Sequence, residues 1–180
     1  SRGQIGFALI HLIPVIVVIY YLPFAWSNLA AASIFVIAAL TDWLDGYLAR
    51  KCDQHTPFGA FFDPVADKLI VAITLVMLVD EYATLWITLP AMVIIGREVV
   101  ISALREWMAE LGKRTSVAVS YVGKLKTTLQ MIAIIILLLG VPGSVIAKLG
   151  LVCLFFAAIL TLWSMFIYLK AAWSDLTSEM

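Results

Sequence analysis

Charge is scarce in this sequence: Asp, Glu, Lys and Arg supply only 13 % of its 180 residues, where a soluble domain carries about 25 %. With 63 % of residues apolar and a strongly positive mean hydropathy, the chain falls outside the soluble globular range and reads as an integral membrane protein. Neither sign of charge is in excess, with 12 basic and 12 acidic residues, so no basic footprint argues for nucleic acid as a partner. Cysteine is equally sparse. Cys52 lies in a basic turn and Cys153 in an apolar run, which offers neither a disulfide framework nor zinc-ligand spacing. Internal repeats, low-complexity segments and long polar stretches are missing too. That leaves a single transmembrane domain over residues 1–180 as the expected organisation. No small-residue cleavage site stands out after the opening "SRGQIGFALI", so the first apolar stretch is expected to be a membrane helix rather than a signal peptide.

What the sequence does have is long apolar runs. A helical crossing takes about 20 residues, and polar or Pro/Gly breaks at "YLPFAWSN", "RKCDQHTP", "DEYAT", "LGKRTS" and "GVPGS" divide the chain into six. The predicted helices cover 4–21, 27–50, 57–79, 83–111, 118–140 and 144–172, an all-α bundle. Short connections should make consecutive helices antiparallel neighbours. Arg2, Arg50, Lys51, Lys113, Arg114, Lys124, Lys126 and Lys170 gather on one side of such a bundle, against Lys148 on the other. Basic residues are retained on the cytoplasmic side, so both termini are expected there. Trp26, Trp86 and Trp107 near helix ends suit interfacial belts. His11 is expected to be hydrogen-bonded within the bundle.

Against this apolar background, "TDWLDGYLARKCDQHTPFGAFFDPVADK" carries Asp42, Asp45, Asp63 and Asp67. On the second helix Asp42, Asp45, Gly46 and Ala49 follow i, i+3, i+4, i+7 spacing. On the third, Gly59, Asp63 and Asp67 fall at steps of four. Each set shares one helix face. Four neighbouring carboxylates must be protonated, paired with bases or neutralised by cations. Hard divalent ions with oxygen ligands, such as two magnesium ions, fit best and leave positions for a diphosphate. Gly46 and Gly59 open space for a ligand, and Arg50 is placed to neutralise a phosphate. The plainer alternative is that these acids cap helices or pair with Arg50, Lys51 and Lys68.

The run D-x2-D-G-x2-A-R-x8-G-x3-D-x3-D, from Asp42 through Asp45, Gly46, Ala49, Arg50, Gly59 and Asp63 to Asp67, resembles the signature of the CDP-alcohol phosphotransferase family. Its members join an alcohol to the phosphatidyl group of a CDP-linked lipid and release CMP. The resemblance extends from about Pro14 to the end. "REVVISALREWMAELGKRTSVAVSYVGKLKTT" looks most like the branch whose acceptor is sn-glycerol 3-phosphate. It implies a six-helix membrane fold, a homodimer, CDP-diacylglycerol as donor and two Mg2+ or Mn2+ ions. It further implies that Asp42, Asp45 and Asp63 hold the metals, that Asp67 is both ligand and general base, and that Gly46, Ala49, Arg50 and Gly59 line the CDP site. Spacing alone does not choose which aspartate is the base. The family's usual Asn, Thr and Arg pattern at the start of the first helix is missing from "SRGQIGFALIHLIP", so no site residue is assigned to residues 1–12.

A phosphate-bearing acceptor needs cations beside the aspartates. Arg97 and Arg105, eight apart on one face of the fourth helix, and Lys124 and Lys126 at the start of the fifth are the available set. Alternatively, Arg97 and Arg105 pair with acids such as Glu98 and Glu106, while Lys124 and Lys126 snorkel to lipid headgroups. Lys113 and Arg114 suit contact with anionic membrane lipid. Rival functions are transfer to a different acceptor alcohol, an intramembrane prenyltransferase, which usually has more helices, and a divalent-cation carrier. The carrier is disfavoured by the lack of repeats and broken helices.

Overall fold

A computed structural model describes residues 2–52, 57–110 and 121–177, and side chains at 10–41, 68–107, 110, 125–174 and 177. The described residues form helices only: α1 (Arg2–Tyr21), α2 (Ser27–Cys52), α3 (Pro57–Tyr82), α4 (Leu85–Glu110), α5 (Tyr121–Leu139) and α6 (Val145–Thr177). The expected six segments are all present, with ends shifted by a few residues.

The helix ends follow local chemistry. Ala83 takes a left-handed conformation with φ of 48° and donates its N–H to the Val79 carbonyl at 2.9 Å, closing α3 in the manner of an αL cap. Ser144 precedes α6, and its Oγ accepts the Ala147 N–H at 3.2 Å, satisfying one of the first-turn donors. In the same turn Gly143 has φ of 88°, a region open to glycine without side-chain strain.

Contacts between helix ends set the topology. The Tyr21 hydroxyl donates to Asp80 at 2.9 Å, joining the C-terminal ends of α1 and α3. The buried Tyr82 hydroxyl reaches the carbonyls of Leu137 and Gly140 at 2.7 and 3.2 Å, tying α3 to the end of α5. Helices α1, α3 and α5 therefore run in one direction. On α4 and α6, the rings of Trp86 and Phe155 meet at a tilt and Arg105 lies over Tyr168, so these two run parallel to each other. The connections are short, as expected. Partner choice, however, is not simply sequential: α1 packs as closely on α3 as on α2, and α4 on α6. Apolar contact rather than chain order selects these neighbours.

The core is built from Ile16, Phe35, Leu75, Leu78, Ile94, Ile134, Leu137 and Leu154, all nearly sealed from solvent. Gly150 lets α6 approach α5: a Cβ there would lie 2.9 Å from Leu137 Cγ. Many large apolar side chains are exposed, among them Leu85, Met92, Val99, Val145, Leu149, Trp163 and Phe166. Two helical segments, Leu85–Trp107 and Val145–Ser174, are long and apolar enough to cross a membrane. Trp26, Trp86 and Trp107 are exposed near helix ends, while His11 lies on the exposed side of α1 rather than within the bundle.

Candidate functional site

At the end of the bundle opposite the Tyr82 link, α3, α4 and α5 enclose a cavity of about 590 Å³. Its floor is apolar, with Val71, Ile94 and Met131 among the lining residues, while its polar wall carries Lys68, Arg97, Arg105 and Lys126. Glu98 is the acid on that wall. Among the described residues, four cations against one carboxylate leave three net positive charges around the space.

Each cation is held differently. Arg97 Nη1 donates to Glu98 Oε1 at 2.8 Å, so these adjacent residues do pair, although neighbouring helix positions point apart. The Arg97 side chain is 12 % exposed, and its Nε is buried without an acceptor among the described residues. Lys68 Nζ lies 3.5 Å from Glu98 Oε2 and donates to Ser102 Oγ at 2.7 Å. Arg105 places its guanidinium 5.5 Å from the centre of the Tyr168 ring on α6, a cation–π contact. Among the described residues its recorded partner is this ring rather than Glu106. Lys126 is only 6 % exposed and has neither a hydrogen bond nor an ion pair among the described residues. A buried ammonium among like charges is costly, and an anion entering the cavity offsets that cost.

The structure thus brings Arg97, Arg105 and Lys126 to one space. The side chain of Lys124 lies outside the described residues. So do those of Asp42, Asp45, Gly46, Ala49, Arg50, Gly59, Asp63 and Asp67, whose backbones belong to α2 and α3. No cluster of candidate metal ligands occurs among the described residues, and the predicted ligands are not in that set. Lys68 follows Asp67 in α3 and lines the cavity. Sequence reasoning treated Lys68 only as a counter-ion. Its adjacency to Asp67 was the available signal. Gln130 was also missed; it lies one turn beyond Lys126 and lines the same space. A second cavity, of about 580 Å³ at the opposite end, is lined by aromatic and aliphatic residues with Lys148 as its cation.

Fold and site together define a largely apolar protein, helical in its described residues, with a cationic cavity against the helix that carries Asp63 and Asp67. Residues 4–173 match the family model for CDP-alcohol phosphatidyltransferase, and the chain belongs to that family. It is 57 % identical over 168 residues to the CDP-diacylglycerol–glycerol-3-phosphate 3-phosphatidyltransferase of Salmonella choleraesuis, covering 93 % of this chain and 92 % of that protein. It is 56 % identical over 168 residues to the protein of that name in Shigella flexneri serotype 5b, with the same coverage. It is also 56 % identical over 165 residues to that of Sodalis glossinidius, covering 92 % of this chain and 90 % of the relative.

Proposed function

We propose that this chain transfers the phosphatidyl group of CDP-diacylglycerol to sn-glycerol 3-phosphate, forming phosphatidylglycerophosphate and CMP. The observation that carries this reading is the cationic cavity that begins at Lys68, the residue following Asp67. It offers a phosphate-bearing acceptor a place next to the aspartate-bearing segment. The names of the relatives describe the same donor and acceptor.

In this reading the phosphate of the acceptor is bound by Arg97, Arg105, Lys124 and Lys126. Arg97 offers its buried Nε, and Lys126 supplies a mobile charge. Held there, the acceptor directs its primary hydroxyl toward Asp67. That hydroxyl is a poor nucleophile at neutral pH, so Asp67 accepts its proton as the oxygen bonds to the phosphorus bearing diacylglycerol. The bond from that phosphorus to the CMP oxygen breaks, and CMP leaves. Gly46, Ala49, Arg50 and Gly59 hold the CDP moiety. Asp42, Asp45, Asp63 and Asp67 form an all-oxygen donor set on two helices, the chemistry hard divalent cations take, and would hold two Mg2+ or Mn2+ ions. When bound, such ions supply charge neutralisation on the diphosphate.

The apolar exterior and the two long apolar helices support a single six-span domain surrounded by membrane lipids. The distribution of basic residues supports an active end and both termini on the cytoplasmic side of a bacterial inner membrane. A homodimer belongs to the same reading.

An acceptor-swap assay in detergent, following CMP release, tests the proposal. CMP should appear only when CDP-diacylglycerol, a divalent cation and glycerol 3-phosphate are combined. Equal turnover with serine or inositol would assign the chain to a different acceptor.

A further inference from the structure

Gln130 is 8 % exposed, lines the cationic cavity and makes no hydrogen bond among the described residues. It follows Lys126 by four positions on α5, so both side chains leave the same helix face. The next residues, Met131, Ile132, Ala133 and Ile134, are apolar. Its amide, with no protein partner among the described residues, is left to the cavity it lines. The cavity is where its missing partner would enter.

The remaining polar groups on the wall narrow the identity of that partner. Lys68, Arg97, Arg105 and Lys126 are donors only, suited to phosphate oxygens. Glu98 is occupied by Arg97 and Lys68, and Ser102 Oγ already accepts from Lys68. Of the neutral polar groups on the wall, Ser102 is engaged by Lys68 and Thr127 has a partner of its own, whereas Gln130 offers donors and an acceptor that no described protein group uses. A secondary hydroxyl requires this combination, because it donates one hydrogen and accepts another. The acceptor proposed above has one such hydroxyl, at carbon 2, between the phosphate and the reacting primary alcohol.

We propose that Gln130 is a specificity-determining residue that hydrogen-bonds the carbon-2 hydroxyl of the acceptor. This assignment rests on the glycerol 3-phosphate reading. The amide selects a polyol phosphate over a simple hydroxyalkyl phosphate, while the cations select the phosphate itself.

The test compares glycerol 3-phosphate with 3-hydroxypropyl phosphate, which keeps the phosphate and the primary alcohol but lacks the secondary hydroxyl. The full-length protein in detergent, with CDP-diacylglycerol saturating, should show a kcat/KM for the deoxy acceptor that is about 5- to 150-fold lower, the cost of leaving the buried amide unpaired. In Gln130→Leu the two acceptors should become nearly equal, through a loss on glycerol 3-phosphate and relief of the penalty on the deoxy acceptor. Gln130→Met provides the same readout if the leucine variant does not fold. Equal use of both acceptors by the unaltered protein, or undiminished discrimination in either variant, overturns the assignment. An unaltered protein that uses neither acceptor while releasing CMP to another alcohol overturns the acceptor reading itself, and the role of Gln130 with it.

Discussion

Replacing Lys126 by Met separates a binding role from a structural one, because the two make opposite predictions for stability. The lysine is 6 % exposed and shares the cavity with Lys68, Arg97 and Arg105, with Glu98 already engaged by two of those cations. Removing it lowers the net positive charge of the described groups on the wall from three to two and relieves repulsion from Arg97, Arg105 and Lys68. The unbranched methionine fills most of the vacated volume, so thermal unfolding in detergent should move little or shift upward. The acceptor phosphate, by contrast, loses a charge-assisted hydrogen bond worth about 1.5–3 kcal/mol. At about 1.4 kcal/mol per factor of ten, the apparent KM for glycerol 3-phosphate should rise about 10- to 150-fold, while that for CDP-diacylglycerol stays unchanged. CMP release measured while each substrate is varied in turn gives both constants. A rise confined to the CDP-lipid constant, or a lowered unfolding temperature with unaltered kinetics, would refute the reasoning.

Asp67→Asn should lower kcat by about 10²- to 10⁴-fold, the usual worth of a positioned base, while binding of CDP-diacylglycerol survives; near-normal turnover would remove Asp67 from that role. Gly150→Ala places a methyl 2.9 Å from Leu137 Cγ and should destabilise the α5–α6 contact by about 1–3 kcal/mol. Gly96→Ala, with nothing within 4 Å of the added carbon, should be neutral or stabilising by up to about 1 kcal/mol; equal melting shifts for the two would contradict the close approach. Tyr82→Phe removes donation to two carbonyls at the α5 terminus and should cost about 1–2 kcal/mol, read as a lower unfolding temperature with an unchanged KM for both substrates.

The helices were legible because lipid-like runs end at chemically distinct breaks. Pro57 opens α3, and the "GVPGS" turn before Val145 supplies both a left-handed glycine and a capping serine. Their partners were much less legible. Helices α1 and α6 are apolar on every side, so no stripe announces that α1 meets α3 or that α4 meets α6. The fixed spacing of the aspartate segment carried the family resemblance, and the cation set of Arg97, Arg105 and Lys126 converged as spacing suggested. Details of that convergence were hidden. Arg97 bonds its sequence neighbour Glu98, a pairing helix geometry disfavours, while Arg105 finds the ring of Tyr168, 63 positions away in the chain. Lys68 reads in one dimension as a counter-ion to nearby acids, and Gln130 as one polar residue in an apolar helix. Only three-dimensional proximity shows that both line the cavity.

The most direct test of the central claim follows the acceptor oxygen. With glycerol 3-phosphate carrying ¹⁸O at its primary hydroxyl, attack on phosphorus predicts that mass spectrometry finds the label in the new lipid, bridging glycerol and phosphorus, and none in CMP. Label in CMP, or CMP release without a labelled lipid, would contradict phosphatidyl transfer to that hydroxyl.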